Sequence, residues 1–470
     1  MNDRPELLVL GAGPAGIGAA LAATKSDVKT TIVDRAPDGG GQVYRSPIVP
    51  QTTSGEEGNR LRQALADSPV ETVFDCRLWS IRRDFRIDGI DSRGARTWHP
   101  KKIVAALGTT ERVIPFPGWT TPGVYGLAAT TILLKSQLTL PGKNTVVAGS
   151  GPLLAAVAYG IIAGGGKVAA IIDIAGRGEW LASAPALISR PGDLRRGLNW
   201  LNRIRQAKVP IIYRHAVKAV RESEQGLEII AEPVDRYGHG LANGKTTSIS
   251  SDSLSIGNGL TPATELTRLM GAKHRFDANA GGWIPSLDGG QRTTVDGLYA
   301  AGDGTGITGA DASFLEGQIA GHTVAYDLDR LDRAEYNRLI SPLAADLKRV
   351  SRAGRRMAKM MAPRPGQIST IAADTIVCRC EDITRAEIDA AIDSGASDIN
   401  QLKSWTRCGM GPCQGKTCGD VVASLVAARC GGREKVGSWS PRIPLTALTM
   451  DELAGDFTYE TIPIPKAAPL

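Results

Sequence analysis

The feature that most constrains the fold is a glycine-rich loop between an apolar strand and an alanine-rich helix pattern close to the N-terminus. Residues 7–10 are apolar and precede Gly11-Ala12-Gly13-Pro14-Ala15-Gly16; the helix pattern then runs to about Lys25. A second apolar strand over residues 30–33 ends at Asp34, 18 residues after the last glycine of the loop. This G-x-G-x-x-G unit predicts a parallel α/β sheet of the doubly wound type.

Each residue of this loop has a physical role in binding a dinucleotide. Gly11 allows a tight turn, Gly13 lets the backbone approach a pyrophosphate, and Gly16 lets helix and strand pack closely. The helix N-terminus offers unpaired N–H groups to the phosphates, and Asp34 accepts hydrogen bonds from ribose hydroxyls. The loop therefore predicts a dinucleotide site; the alternative is a tight turn in a sheet without ligand.

A second unit of the same kind covers residues 145–163, and its following strand, residues 168–172, ends at Asp173. Here Leu154 replaces the third glycine, which we expect to push the helix away from the strand, so whether a nucleotide binds stays open. Residues 144–166 carry no charge over 23 positions, long enough for a membrane span. Six glycines and a proline interrupt them, which favours strand, turn and helix.

A third signal lies at residues 297–304, a short strand that ends in Gly302-Asp303, with a helix pattern from about residue 312 to 328. Together with residues 105–110 and 256–262, these motifs resemble the closing and crossover motifs of the flavoproteins with two dinucleotide-binding domains. The resemblance implies an FAD held by fourteen residues: Gly11, Gly13, Pro14, Ala15, Gly16, Asp34, Arg35, Gly41, Gln42, Leu78, Ala106, Gly108, Gly302 and Asp303.

The same motifs imply a division of the chain into domains. Residues 1–115 and 260–335 would form one discontinuous FAD domain, and residues 116–259 an inserted NAD-type domain. Residues 336–372 are expected to be a helix and a linker, with the linker marked by Arg364-Pro365-Gly366. A compact module follows over residues 373–435. The proline-containing tail, residues 436–470, is expected to wrap the surface.

Five of the seven cysteines fall within 41 residues, whereas Cys76 and Cys430 are isolated. Without an export signal, clustered thiols indicate metal binding rather than disulfides. The spacing is C-x-C, 27 residues, then C-x₄-C, whereas zinc sites usually use C-x₂-C pairs. Four thiolates suit a [2Fe–2S] cluster, and zinc or plain structural cysteines are the alternatives. The predicted ligands are Cys378, Cys380, Cys408 and Cys413, and Cys418 is interpreted as a buried thiol.

Glycines next to these cysteines, Gly409, Gly411 and Gly415, are expected to let backbone N–H groups approach the cluster sulfurs. The segment resembles the bacterioferritin-associated ferredoxin-like [2Fe–2S] domain. Residues 39–45 and 406–415 carry a wider resemblance to the larger subunits of FAD-dependent opine dehydrogenases, hydrogen cyanide synthase and proline or hydroxyproline dehydrogenases. The α subunit of sarcosine oxidase is more distantly similar.

This resemblance implies the electron-transferring subunit of an amine, opine or imino-acid dehydrogenase. A smaller FAD-containing partner would oxidise the substrate, in a heterodimer, heterotetramer or larger assembly, with an FMN at the interface and an unknown electron acceptor. No histidine stands in a catalytic motif, so no catalytic residue is assigned. The alternatives are a self-sufficient NAD(P)H reductase, with hydride passing from the second nucleotide site, and a scaffold whose nucleotides are structural.

Charge and composition exclude some partners. The chain has 55 basic and 48 acidic side chains, and only 5% aromatic residues, which disfavours nucleic-acid binding. One basic stretch, Lys348, Arg349, Arg352, Arg355, Arg356 and Lys359, has roughly helical spacing. It could face solvent, a partner protein, a cofactor phosphate or anionic lipid as a peripheral membrane contact, and we favour partner or solvent. We expect a cytoplasmic protein.

Overall fold

A five-stranded parallel sheet forms around the first glycine loop. The computed structural model describes residues 2–45, 53–224 and 226–454. The first segment contains β1 (Asn2–Asp3), β2 (Leu7–Leu10), α1 (Pro14–Thr24), β3 (Thr30–Val33), α2 (Thr53–Ala66), β4 (Glu71–Val73), β5 (Arg77–Ile81), β6 (Ile87–Asp91), β7 (Gly94–Trp98), β8 (Lys102–Ala105) and β9 (Thr109–Glu111). Every residue of β2 and β3 is buried, because helices or strands cover both faces of the sheet.

The inserted segment forms a second five-stranded parallel sheet, in the order β10-β17-β11-β12-β13, and a three-stranded antiparallel sheet, β14-β15-β16. Its elements are β10 (Val124–Gly126), α3 (Leu127–Ser136), β11 (Asn144–Gly149), α4 (Leu153–Ala163), β12 (Lys167–Asp173), α5 (Arg177–Leu187), α6 (Pro191–Gln206), β13 (Ile211–Tyr213), β14 (His215–Ser223), β15 (Gly226–Pro233), β16 (Thr247–Ser251) and β17 (Ser253–Gly257).

The chain then returns to the first sheet. The elements of this returning segment are β18 (Leu260–Pro262), α7 (Glu265–Leu269), β19 (His274–Asp277), β20 (Gly282–Pro285), β21 (Leu298–Ala300) and α8 (Ala310–Asp327). Strand β18 pairs with β9, and β19 pairs with β20. Strand β21 pairs in parallel with β8, which gives the sheet order β21-β8-β2-β3-β4. Helix α8 lies against α1 so closely that a Cβ on Gly317 would be 1.9 Å from the Ala15 carbonyl oxygen. The closing motif is thereby placed beside the first glycine loop.

The C-terminal part carries the cysteine module. Its elements are α9 (Arg333–Met361), α10 (Pro365–Ser369), β22 (Ile376–Cys378), β23 (Ile383–Thr384), α11 (Arg385–Asp393), α12 (Ile399–Thr406), α13 (Gly419–Cys430), α14 (Arg433–Val436) and α15 (Met450–Ala454). The helices bury their apolar faces in a core of their own, which includes Val377, Ile388, Leu402 and Val422.

Residues 364–366, where we expect a linker, stand at the start of the short helix α10 and are held in place, with Arg364 as the N-cap. Arg364 donates to the Glu179 carboxylate at 2.9 Å and to the Arg236 carbonyl at 2.8 Å. A Cβ on Gly366 would lie 2.3 Å from the Gly238 carbonyl carbon. Pro365 is the first residue of the helix, a position that favours proline. Gly366 allows the close approach of the helix backbone to the backbone at Gly238.

Three further expectations concern the basic stretch, the uncharged segment and the tail. The basic stretch lies on α9, where Lys348, Arg349, Arg352, Arg355 and Lys359 are exposed while the opposite face packs inward. Within the described residues, no helix has both the length and the apolarity that a bilayer crossing requires, and residues 144–166 divide between β11 and α4. Of the predicted tail, residues 436–454 are described; Leu445 N–H donates to the Trp79 carbonyl, and Pro463 and Pro465 lie outside the described residues.

Candidate functional site

The predicted FAD-binding motifs come together at the carboxyl edge of the first sheet. Gly11 has a φ of +106°, and a Cβ there would lie 2.4 Å from the Ala106 carbonyl oxygen. A Cβ on Gly302 would meet the Ala15 Cβ at 2.7 Å. A Cβ on Gly304 would meet the Gly108 carbonyl oxygen at 3.2 Å. The first loop, the crossover and the closing motif therefore share one site.

Gly16 and Gly13 differ in what surrounds them. A Cβ on Gly16 would lie 1.7 Å from the Gly11 carbonyl oxygen, so this glycine is required by the fold itself. A Cβ on Gly13 would meet only the Gly41 Cα, at 3.9 Å. The backbone at Gly13 is thus left accessible above the start of α1, where Pro14 is the first helical residue. This cradle fits the approach of a pyrophosphate to the helix N-terminus.

Two carboxylates flank this cradle. Asp34 accepts hydrogen bonds from the backbone N–H groups of Ala12 and Ala36, at 2.5 and 2.7 Å. Asp303 accepts from the N–H groups of Thr308 and Gly309, at 2.8 and 2.7 Å. Burial raises the pKa of both carboxyls above their ordinary value. Each carboxylate keeps lone pairs for a ribose or ribityl hydroxyl, because a carboxylate has about four acceptor sites.

The remaining predicted residues lie at different distances from the cradle. Gly41 packs on Gly13. Arg35 and Gln42, which directly follow Asp34 and Gly41 in the chain, are exposed. Leu78 lies in β5, which belongs to a separate four-stranded sheet in the order β1-β7-β6-β5. Its side chain packs against the core, and its carbonyl accepts from the Thr446 hydroxyl. Their roles in binding remain predictions.

Glu316 on α8 belongs to this site, although no motif pointed to it. Its carboxylate accepts from the Gly302 N–H at 2.8 Å and from the Thr305 hydroxyl at 3.3 Å. Burial, with the neighbouring charge of Asp303, raises the pKa of Glu316 to about 8. A protonated Glu316 holds the Gly-Asp turn without placing a second negative charge beside Asp303. The signal in the sequence is an acid among the mostly small and apolar residues that α8 buries.

The cysteine module arranges the five clustered cysteines as a group of three, Cys378, Cys408 and Cys418, and a pair, Cys380 and Cys413. Cys378 ends β22, Cys408 follows α12, and Cys418 precedes α13; their three Sγ atoms lie within 4.8 Å of one another and all are buried. The Cys380 and Cys413 side chains are in hydrogen-bond contact with each other. Cys418, which was not a predicted ligand, thus lies beside two of the predicted ligands, Cys378 and Cys408. The spacing of the cysteines in the sequence did not reveal this proximity.

The backbone around these thiols is arranged to donate to sulfur. The N–H groups of Gly409 and Glu381 donate to Cys378, and those of Gly415 and Thr417 donate to Cys413. Two of the three glycines named from the sequence thus have the expected contacts. The third, Gly411, lets the Cys380 side chain pack directly on the backbone, because a Cβ on Gly411 would lie 2.2 Å from the Cys380 Cβ. Thiol donors with N–H groups directed at them fit an iron–sulfur cluster.

Glycines on the other side of this loop accommodate Trp439, which the sequence did not single out. A Cβ on Gly409 would lie 1.8 Å from Trp439 Cζ3, and one on Gly419 would lie 3.2 Å from its Nε1. Residues 437–445 therefore cover the cysteine loops, and the described part of the tail belongs to the module's surroundings.

Comparison with known families agrees with this geometry. Residues 5–327 match the pyridine nucleotide-disulphide oxidoreductase family model, and residues 376–428 match the BFD-like [2Fe-2S] binding domain. The A subunit of opine oxidase from Agrobacterium tumefaciens (strain Ach5) is 32% identical, over 97% of this chain and 92% of that protein. The HcnB subunit of hydrogen cyanide synthase from Pseudomonas aeruginosa is 30% identical, over 95% of this chain and 97% of that protein.

Among solved structures, L-proline dehydrogenase from P. horikoshii has a similar fold. The TM-score is 0.69 at 18% sequence identity, and the likeness covers 97% of this chain and 81% of that chain. The two chains therefore share a fold over nearly the whole length of this chain.

Proposed function

The chain belongs to the pyridine nucleotide-disulphide oxidoreductase family and also has a BFD-like [2Fe-2S] binding domain. Because it is similar to the A subunit of opine oxidase over nearly its full length, we propose that it is the electron-transferring subunit of a multi-subunit dehydrogenase. The substrate is an opine, amine or imino acid, oxidised at its C–N bond on a smaller FAD-containing partner. A bound FAD supplies two-electron chemistry, and a [2Fe–2S] cluster supplies transfer of single electrons.

One observation carries this proposal: the second glycine loop is covered by the chain's own helix α9. A Cβ on Gly151 would lie 2.5 Å from Met361 Cγ and 2.7 Å from its Sδ. The Ser150 hydroxyl donates to the Met360 carbonyl at 3.0 Å. At the first loop, the corresponding position, Gly13, meets only a backbone Cα at 3.9 Å. The two loops share a motif but differ in access.

The acid of the second unit is engaged as well. Asp173 accepts from the Trp180 indole N–H at 2.7 Å and from the Ala175 N–H at 2.9 Å, and it is buried. Met357 and Met360 pack against Ala175 in the same cluster. A nicotinamide dinucleotide would need to displace α9 and the Trp180 contact to reach this edge of the sheet. This disfavours the NAD(P)H reductase alternative and supports entry of electrons from a partner protein.

The described part of the chain also offers poor candidates for a substrate base. His274 is held by the Thr267 hydroxyl and the Ala272 carbonyl, and burial lowers its pKa to about 4. His215, the first residue of β14, has its Nδ1 atom 2.9 Å from the carbonyl oxygen of Tyr213, the last residue of β13. These contacts are structural, in agreement with the assignment of substrate oxidation to a partner.

The proposal is tested with the purified chain, with and without a co-expressed smaller flavoprotein. The chain alone should show little oxidation of opines or imino acids with an artificial acceptor, and NADH should reduce its FAD slowly in stopped-flow absorbance. Activity should appear in the complex, and extraction should release an additional FMN from it. Robust amine oxidation by the isolated chain, or rapid reduction by NADH, would overturn the proposal.

A further inference from the structure

Trp439 lies outside residues 376–428, the segment that matches the BFD-like [2Fe-2S] binding domain, and it packs directly on the cysteine loops. A Cβ on Gly409 would lie 1.8 Å from Trp439 Cζ3, and a Cβ on Gly415 would lie 3.5 Å from Trp439 Cδ2. Both glycines have a positive φ, +83° and +75°, which residues with a side chain rarely adopt. The indole ring therefore lies against the loop backbone itself.

The backbone of Trp439 is held from two directions. The Asn400 side chain on α12 donates to the Ser438 carbonyl at 3.3 Å and accepts from the Ser440 N–H at 3.0 Å. From α7, the Arg268 guanidinium donates to the Trp439 carbonyl at 2.8 Å. The residue is 9% exposed. Trp439 thus has a fixed position relative to both the cysteine module and the segment that returns to the first sheet.

The two glycines under the ring are ones whose N–H groups are directed at sulfur. The Gly409 N–H donates to Cys378, and the Gly415 N–H donates to Cys413. A glycine peptide rotates more freely than any other, because it has no Cβ, and rotation would turn the N–H away from the sulfur. Hydrogen bonds to the ligand sulfurs are one determinant of the reduction potential of an iron–sulfur cluster. The contact with Trp439 therefore bears on the cluster through the loop backbone.

We propose that Trp439 is a positioning residue for the [2Fe–2S] cluster: its indole ring fixes the peptides of Gly409 and Gly415 with their N–H groups toward the sulfurs. Reduction adds one negative charge to the cluster, and N–H dipoles directed at sulfur stabilise that charge. Loss of the ring should therefore lower the reduction potential. This inference rests on the cluster in the proposed function, and it adds a residue beyond the segment that matches the cluster domain.

The test compares Trp439→Ala with Trp405→Ala in the full-length protein. Trp405 lies on α12 of the same module and is 55% exposed, which makes it the matched control. Potentiometric titration followed by electron-spin resonance measures the midpoint potential, and iron analysis of each variant shows whether the cluster is retained. Trp439→Ala should lower the one-electron equilibrium constant for reduction about tenfold, a shift of about 59 mV. Trp405→Ala should leave the potential unchanged.

Amide hydrogen exchange gives a readout that does not require the cluster. Trp439→Ala should speed exchange in the peptide that spans residues 406–417, because the N–H groups of Gly409 and Gly415 are no longer held toward their acceptors. Trp439→Phe keeps an aromatic ring and should recover part of both effects. Asn400→Ala keeps the indole but removes the contacts that hold its backbone, so it should change both readouts in the same direction. This variant decides the question if Trp439→Ala does not retain iron.

An unchanged or raised potential in Trp439→Ala, with iron retained, would overturn the proposal; a raised potential would show that the ring acts by excluding water. Unchanged exchange in residues 406–417, or an equal effect of Trp405→Ala, would overturn it as well. An unaltered protein without about two irons per chain would contradict the cluster assignment instead, and the exchange measurement would still decide whether Trp439 holds the loop.

Discussion

The Arg112 guanidinium donates to the Asp420 carboxylate at 2.7 Å, and this buried ion pair joins the two halves of the molecule. Arg112 directly follows the crossover strand β9, and Asp420 lies in the first turn of α13, two residues after Cys418. Arg112 also donates to the Gly281 carbonyl, and Asp420 accepts from Arg433 at 2.9 Å. The cysteine module is thereby fixed at a defined position to the flavin-type domain, meaning the part of the chain built on the first sheet.

Asp420→Asn should destabilise this connection strongly. Burial alone would raise the pKa of Asp420, but Arg112 and Arg433 outweigh it and hold the pKa below the ordinary value. The stabilisation is therefore present above the ordinary pKa and is lost only as the pH falls through the lower folded value. Removing one partner leaves buried cations, so we expect a loss of about 3–5 kcal/mol in urea unfolding.

The control for this variant is Asp393→Asn, which removes a carboxylate from an ion pair with Arg429 in the same module. Asp393 is 63% exposed, so its loss should cost at most about 1 kcal/mol. Equal effects of the two substitutions on unfolding would show that the Arg112–Asp420 pair does not hold the module.

Gly13→Val should give a folded protein with little FAD. The space above Gly13 is open except for the Gly41 Cα, so the new side chain would fill the cradle rather than break the sheet. The measurement is the ratio of flavin to protein by absorbance after gel filtration. Gly197→Val on α6, where a Cβ meets no atom within 4 Å, should keep full flavin content. Full retention of FAD by the Gly13 variant would mean that the first loop is misassigned.

Serine replacement of Cys378, Cys380, Cys408 or Cys413 should remove the cluster and leave FAD bound, because the flavin cradle is formed by a separate sheet. Iron analysis and electron-spin resonance of the reduced protein measure the cluster. We expect about two irons per chain in the unaltered protein. Cys76→Ser, at a buried thiol in the flavin-type domain, is the matched control and should keep its iron.

Comparison of Cys408→Ser with Cys418→Ser tests which of these two thiols is a cluster ligand, because both lie beside Cys378. Our assignment expects loss of iron in the first variant and retention in the second. The reverse result would replace Cys408 by Cys418 in the ligand set. Zinc, or about four irons per chain, in the unaltered protein would contradict the cluster type itself.

Glu111→Gln should flatten the dependence of stability on pH. The Glu111 carboxylate accepts from the Ala128 N–H at the start of α3, and burial raises its pKa to about 7. The folded state therefore keeps a proton that the unfolded chain releases, so the stability contribution is full at low pH and is lost as the pH rises through about 7. Between about pH 5 and pH 8, the melting temperature of the unaltered chain should fall more than that of the variant. Parallel melting curves would contradict this prediction.

Much of the fold was predictable because local patterns specify it. The G-x-G-x-x-G loop, the short strands beside the glycine turns and the glycine–aspartate ending predict strands and turns from local sequence. The structure has β2, β3, β11 and β21 at those places. A Cβ on Gly11 or on Gly16 would lie 2.4 or 1.7 Å from a backbone carbonyl oxygen, so only glycine fits at either position. A position where only glycine fits can be recognised in the sequence, because the residue there is glycine.

The sequence by itself determined the two nucleotide units, the cysteine module and the chemistry of its donors. Only the tertiary structure decided that Met361 covers the second loop, that Cys418 joins Cys378 and Cys408, and that Glu316 supports the Gly-Asp turn. Each of these contacts joins residues on different elements, and the Gly151–Met361 approach spans 210 positions of the chain. Local periodicity carries no information on such pairs, because packing between elements selects them after the elements have formed.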